Sequence, residues 1–67
     1  MKIQLNGDET EVQEGTNLLR LLEQVKLKPE LVVIEYNLTI LRRDELAGTV
    51  LKEKDQVEIV HFVGGGV

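Results

Sequence analysis

The chain has 67 residues, a formal net charge of −4 and no cysteine. This length gives one small domain without room for a catalytic cleft and its support, and the lack of cysteine excludes disulfides and thiolate metal sites. The acidic balance argues against nucleic acid, because phosphate binding needs clustered Lys and Arg. No apolar stretch approaches the ~20 residues that span a bilayer and no signal-peptide pattern is present, so we expect a cytoplasmic protein that does not bind membranes.

The first residues alternate apolar and polar side chains, with Met1, Ile3 and Leu5 as the apolar set. A period of two predicts a strand with one face in water. Asn6 and Gly7 follow, and both tolerate the positive φ of a tight hairpin turn. The pattern therefore predicts a β-hairpin whose second strand spans about residues 9–13.

The next segment has the periodicity of an amphipathic helix. Its apolar residues fall on one helical face: Leu18, Leu21, Leu22 and Val25. This spacing predicts a helix over about residues 17–25, with Thr16 as its N-cap. We expect Pro29 to end the helix, because the residue before a proline is pushed out of the α region.

The second half of the chain predicts shorter elements. The pattern predicts a buried strand over residues 31–36, a turn at Asn37 and a short strand over residues 39–41. One helical turn capped near Asp44 comes next, and a last strand begins at Val57. This order predicts an α+β fold, a mixed sheet with one main helix on one face. The first and last strands can lie parallel at its centre, because the helix supplies the crossover that parallel neighbours need.

The end of the chain is the strongest functional signal. The apolar last strand passes directly into Gly64, Gly65 and Gly66, followed by Val67. Glycine leaves the backbone thin and free to adopt φ > 0, so such a segment can thread a narrow channel in a partner. We therefore divide the chain into a domain, residues 1–63, and a flexible tail, residues 64–67. A frayed terminus without a role is the alternative explanation.

Several motifs in this order resemble the sulfur carriers of thiamin biosynthesis, the ThiS family of ubiquitin-like β-grasp proteins. The matching segments are residues 1–7 (MKIQLNG), 21–24 (LLEQ), 36–37 (YN), 41–43 (LRR), 50–55 (VLKEKD) and 57–66 (VEIVHFVGGG). The resemblance covers essentially the whole chain. The glycine tail alone is shared with molybdopterin-synthase small subunits and ubiquitin-like modifiers.

The resemblance implies a carrier and not an enzyme. An ATP-dependent activating enzyme would adenylate the carboxylate of Gly66, a sulfur-donor protein would supply sulfur, and the thiocarboxylate would serve thiazole synthase. The carrier itself would bind no cofactor and no metal. Carriers of this family end at a glycine, so Val67 is a departure. We expect its removal before activation; alternatively it is foreign to the natural chain, or this copy is an inert relative.

The last strand also predicts a docking surface. Side chains alternate along a strand, so Val60 and Phe62 should point away from the helix, where nothing covers the sheet. An exposed apolar pair next to a reactive tail suits partner docking, unless the register slips or a neighbour covers the pair. The alternative functions are a molybdopterin-synthase-type sulfur carrier, a ubiquitin-like modifier, and a β-grasp interaction module whose tail is never activated.

Overall fold

The computed structural model describes residues 1–62, and the predicted tail, Gly64 to Val67, lies outside this range. The described elements follow in chain order: β1 Lys2–Leu5, β2 Asp8–Glu11, α1 Leu18–Gln24, a 3₁₀ turn Pro29–Leu31, β3 Val32–Tyr36, β4 Thr39–Leu41, a 3₁₀ turn Arg43–Glu45 and β5 Gln56–His61.

The five strands form one mixed sheet in the order β2-β1-β5-β3-β4. The β1–β2 and β3–β4 hairpins are antiparallel, and β5 lies antiparallel to β3. β5 pairs in parallel with β1, where Leu5 lies opposite Val57. The predicted α+β arrangement, with the first and last strands as parallel central neighbours, is therefore confirmed.

The hydrophobic core lies between α1 and one face of the sheet. Leu18, Leu21 and Leu22 of the helix are buried there against Ile3, Ile34 and Val57 of the three central strands. The side chains that alternate with these in β1 and β5 are exposed. The opposite face of the sheet is consequently the uncovered one.

The start of α1 differs from the sequence prediction. Asn17 and not Thr16 is the N-cap, because the Asn17 Oδ1 accepts a hydrogen bond of 2.7 Å from the backbone amide of Arg20. Thr16 is instead buried, and its carbonyl accepts a hydrogen bond from the Leu51 amide. Asn and Thr are both good N-caps, so residue type alone could not separate the two neighbours.

The helix also ends before the proline that was expected to stop it. Lys26 has a φ of 62°, and the amides of Lys26 and Leu27 donate to the carbonyls of Glu23 and Leu22. This is a Schellman motif, which closes the helix with a left-handed residue. Val25 becomes the C-cap and is 38% exposed, so it does not extend the buried stripe.

Several other boundaries shift by one or two residues. Pro29 opens a 3₁₀ turn, so β3 starts at Val32 and not at residue 31. The expected burial of this strand is also only partial, because Ile34 alone is buried and the other four residues are half-buried. β2 is Asp8–Glu11 rather than 9–13, and β5 starts at Gln56, one residue early. The predicted helical turn near Asp44 is a 3₁₀ turn, in which the Arg42 amide donates to the Glu45 carboxylate.

Both hairpin turns use positive backbone φ angles. Asn6 and Gly7 have φ values of 50° and 86°, as predicted, and Asn37 and Leu38 have values of 49° and 72°. Leu38 is unexpected in this conformation, because its Cβ disfavours it. No helix within residues 1–62 is long and apolar enough to cross a membrane.

Candidate functional site

The described part of the site is the carboxyl-terminal end of β5. This strand ends at His61, and the Phe62 amide donates a 2.8 Å hydrogen bond to the Leu31 carbonyl, which keeps the chain beside β3 for one more residue. Gly64, Gly65, Gly66 and Val67 follow outside the described range. The structure therefore places the residues that lead to the predicted carrier group.

Val60 and Phe62 are both accessible at this end of the sheet. Val57 is fully buried, Ile59 packs against the core, and Val60 and Phe62 are 58% and 51% exposed. Val60 lies opposite Val33 of β3 on the uncovered face. The predicted docking pair is thus exposed, and its role in docking stays a prediction.

Phe62 lies beside a recess at the end of β3. A cavity of about 240 Å³ is lined by Phe62 and by Val32, Ile34 and Leu46. The charged residues Glu30 and Arg43 also line it. The exposed ring of Phe62 is therefore next to an indentation with both apolar and charged walls.

The Asn6 side chain continues the pairing of β5 where β1 stops. The Ile59 amide donates a 2.7 Å hydrogen bond to the Asn6 Oδ1, and the Asn6 Nδ2 donates to the Ile59 carbonyl at 3.3 Å. The sequence predicted only the backbone role of Asn6. The signal that was missed is topological. The hairpin turn follows β1, and β1 lies parallel to β5, so the turn lies beside β5.

Two carboxylates meet on the uncovered face. Glu35 of β3 lies directly opposite Glu58 of β5, two positions along the register from Val33 and Val60 and next to them on the same face. Within residues 1–62 neither glutamate takes part in an ion pair. Like charges directly opposite each other on neighbouring strands are destabilising.

The beginning of β5 is held by a buried carboxylate. Asp55 is 8% exposed and accepts hydrogen bonds from the Tyr36 hydroxyl at 2.6 Å, the Lys52 amide at 2.7 Å and the Asn37 side-chain amide at 3.2 Å. Burial by itself would raise the pKa of Asp55, but these hydrogen bonds outweigh it and hold that pKa below its ordinary value. Burial and the bond to Asp55 raise the pKa of Tyr36 to about 12.

No metal centre is formed by the described residues, since no group of three or more His, Cys, Asp or Glu side chains converges there. His61 is exposed at the end of β5. What the arrangement does offer is a strand that emerges from the centre of the sheet next to an exposed apolar pair.

A mixed sheet with one helix across one face, parallel central strands and a last strand that leads to three glycines defines a ubiquitin-like β-grasp protein. The sequence model of the ThiS family matches residues 3–66. This chain belongs to the ThiS family.

Individual relatives agree with this assignment. The chain is 35% identical to the sulfur carrier protein ThiS of Bacillus subtilis, and the alignment covers 96% of this chain and 98% of that protein. It is 44% identical to part of a thiazole synthase of Magnetococcus marinus, over 98% of this chain but 20% of the synthase. The chain thus spans about a fifth of that synthase.

A solved structure confirms the fold. The crystal structure of the thiamine biosynthesis protein ThiS from Geobacter metallireducens superposes with a TM-score of 0.83 at 35% sequence identity, covering 98% of this chain and all of that one. The β-grasp topology predicted from the sequence is therefore the topology of a ThiS protein.

Proposed function

We propose that this chain is a sulfur carrier of thiamin biosynthesis and acts as a protein substrate, not as an enzyme. The observation that supports this most strongly is the match of the ThiS family to residues 3–66, which includes all three tail glycines. The Bacillus sulfur carrier protein aligns over nearly its whole length as well.

The proposed reaction takes place at the carboxylate of Gly66. A carboxylate oxygen attacks the α-phosphorus of ATP on an activating enzyme, and pyrophosphate leaves. Sulfide (HS⁻) released by a donor protein then attacks the acyl carbonyl, the bond to AMP breaks, AMP leaves, and loss of the S–H proton gives the thiocarboxylate. Glycine suits this chemistry because it has no side chain to obstruct the attack.

Thiazole synthase is the proposed acceptor of the sulfur. The Magnetococcus relative supports this choice, because a thiazole synthase contains a segment that is 44% identical to this chain. A carrier and a synthase that occur in one polypeptide are kept at a high effective concentration. The same contact is then expected between separate chains, at lower effective concentration.

The test compares a form that ends at Gly66 with a form that retains Val67. Both are incubated with the adenylating enzyme of the same cell, first with ATP and labelled pyrophosphate, then with a sulfur donor. We expect the Gly66 form to exchange pyrophosphate and to gain the mass difference between sulfur and oxygen. The Val67 form should do neither, because small displacements of a reacting group are costly and valine is branched at Cβ.

Each other outcome has a distinct meaning. Equal adenylation of both forms rejects the removal of Val67 as a requirement. Adenylation without a thiocarboxylate, followed by attachment of Gly66 to a lysine amine, favours a ubiquitin-like modifier. If neither form is adenylated, the carrier proposal is rejected.

We further propose that Val60 and Phe62 dock the activating enzyme. Phe62→Asp should weaken binding to this enzyme, because a charge at an apolar contact is desolvated without a partner. Leu38→Asp is the matched control, since Leu38 is 82% exposed and lies at the other end of β3. Both variants add one negative charge, so equal loss of binding, or none in a folded Phe62→Asp protein, contradicts the docking role.

A further inference from the structure

β5 loses its neighbour on one side before it ends. The β1–β5 pairing stops at Leu5 opposite Val57, and the Asn6 amide still donates to the Val57 carbonyl at 2.9 Å. The chain then turns away through Asn6 and Gly7 into β2. Beyond Val57, the strand therefore needs another partner on this side or leaves its backbone groups unpaired.

Asn6 supplies that partner with its side chain. Its amide group binds both backbone groups of Ile59, accepting from the N–H at 2.7 Å and donating to the carbonyl at 3.3 Å. A side-chain amide has the same donor and acceptor as a peptide group. The Asn6 side chain thus takes the place of the peptide group that one more residue of β1 would supply.

The direction of the hydrogen bonds shows that the Asn6–Ile59 pair is the last hydrogen-bonded contact on the β1 side of β5 within residues 1–62. The backbone groups of Ile59 point toward β1, whereas the Phe62 amide points toward β3 and binds Leu31. Within residues 1–62, the strand after Ile59 is held by β3 alone. Ile59 is therefore the last described position at which β5 is held by hydrogen bonds on its β1 side as well as by β3, and Asn6 supplies the bonds on the β1 side.

This point immediately precedes the proposed functional residues. Val60 follows Ile59 directly, Phe62 is three residues on, and Gly66 is seven residues on by the sequence numbering. If Val60 and Phe62 hold the activating enzyme, the path of the chain at Ile59 sets where the following residues enter that enzyme.

We propose that Asn6 is a positioning residue for acyl transfer at Gly66. It fixes the path of β5 at Ile59, so that a partner bound at Val60 and Phe62 receives the glycines in one register. This inference rests on the proposed carrier function. Its physical basis is that a misplacement of about 1 Å at a reacting centre costs up to about 100-fold in rate.

The test variant is Asn6→Gly. Asn6 has a φ of 50°, and glycine adopts this conformation without strain. The substitution therefore removes both side-chain hydrogen bonds while it preserves the turn. Asn6→Asp is the partial replacement, because its carboxylate can still accept from the Ile59 amide but cannot donate to the carbonyl.

The chain contains a closely matched control in Asn37. This residue also sits in a hairpin turn, has a φ of 49°, and accepts a 2.8 Å hydrogen bond from a β5 amide, that of Gln56. Gln56 is the first residue of β5 and Ile59 is near its end. Asn37→Gly thus removes a comparable hydrogen bond from the end of the strand remote from the tail, together with the 3.2 Å bond from the Asn37 side chain to Asp55.

Two measurements are made on the folded wild type and variants. Amide hydrogen exchange reports the ties directly: we expect faster exchange at Ile59 in Asn6→Gly and at Gln56 in Asn37→Gly. Single-turnover adenylation is then measured against the concentration of activating enzyme, using forms that end at Gly66.

The expected result is a change in the maximal adenylation rate with little change in the affinity for the activating enzyme. Asn6→Gly should lower the maximal adenylation rate about 10-fold or more, with little change in the half-saturating enzyme concentration, because Val60 and Phe62 remain exposed. Asn6→Asp should fall between Asn6→Gly and wild type. Asn37→Gly should keep the wild-type rate.

An unchanged maximal rate in Asn6→Gly, with fast exchange at Ile59, overturns the positioning role. Equal loss of rate in Asn6→Gly and Asn37→Gly also overturns it, since general destabilisation would then explain both. If the wild-type form ending at Gly66 is not adenylated, the proposed function falls and the positioning role falls with it. An adenylated wild type with an unaffected Asn6 variant rejects the positioning role alone.

Discussion

The two ends of β5 are stabilised in different ways. At its beginning the strand pairs with β1 and β3, Val57 is fully buried, and the buried carboxylate of Asp55 joins the neighbouring turns. At its far end the strand pairs with β3, one side chain replaces β1, and Val60 and Phe62 are exposed. One strand thus changes from core element to surface element within six residues.

A firmly held beginning and an accessible end of β5 are compatible within one small domain. Local stability varies along a protein, and segments that must be bound or moved come from its less stable parts. Here the core and the buried polar network hold the beginning of β5, so its other end can remain accessible. A sulfur carrier needs a stable domain and an accessible end, because its partner must bind the domain while the tail reacts.

The largest effect should come from the same substitution at the two ends. Val57→Ala removes two buried carbon atoms and leaves a cavity, so we expect a loss of about 2 to 3 kcal/mol in the free energy of unfolding. Val60→Ala should change it by less than about 0.5 kcal/mol, since Val60 is 58% exposed. Urea unfolding measures both, and equal losses would contradict the contrast.

Asp55→Asn should destabilise the beginning of β5 without affecting the tail. The amide cannot accept all three hydrogen bonds of the buried carboxylate, so we expect a loss of about 1 to 3 kcal/mol at pH 7. Asp44→Asn is the control, because Asp44 is paired with Arg42 on the surface. Adenylation of the folded variant should stay at the wild-type rate.

The difference in unfolding free energy between wild type and Asp55→Asn should change with pH in a defined direction. The folded pKa of Asp55 is held below its ordinary value of 3.8, so its contribution is complete above that value and is lost as the pH falls through the folded pKa. Unfolding curves should therefore show the advantage of wild type over Asp55→Asn shrinking below pH 3.8. An advantage that grows in acid would contradict the hydrogen-bonded carboxylate.

Titration of the Tyr36 hydroxyl at high pH is an independent test of the hydrogen bonds around Asp55. It is the only tyrosine in the chain, so tyrosinate absorbance reports it alone. Its pKa is raised from 10 to about 12, so its contribution to stability is complete below pH 10 and is lost as the pH rises toward 12. In Asp55→Asn the titration should move toward 10, and an unchanged midpoint would contradict the hydrogen bond.

The sequence predicted the core and the sheet well because both follow from periodicity. The stripe of Leu18, Leu21 and Leu22 and the alternation along β1 specify which faces are buried. The Asn6–Gly7 turn was predictable for the same local reason. Boundaries were less predictable, because the choice of Asn17 over Thr16 as N-cap depends on tertiary contacts.

The polar part of the site was not predictable, because it depends on pairs far apart in the chain. Asn6 meets Ile59 across 53 residues, and Tyr36 meets Asp55 across 19. Nothing in the local pattern distinguishes these side chains from ordinary turn residues. Asp55 in particular looks like part of a charged surface turn until β3 is placed beside it.

The smallest predicted effect concerns the carboxylates on the uncovered face. Glu58→Gln removes the repulsion between Glu35 and Glu58, which are directly opposite each other. We therefore expect the variant to be more stable than wild type by about 0.2 to 1 kcal/mol. Added salt should reduce this gain, because exposed charges are screened at a Debye length of ~3 Å in 1 M salt.

Glu23→Gln on the exposed side of α1 is the charge-matched control for this gain. It also removes one negative charge, but Glu23 has no strand neighbour of like charge. A gain confined to Glu58→Gln and abolished by salt assigns the cost to the cross-strand pair. Equal gains in both variants would instead assign it to the net charge of −4, and the Glu35–Glu58 pair would then carry no specific cost.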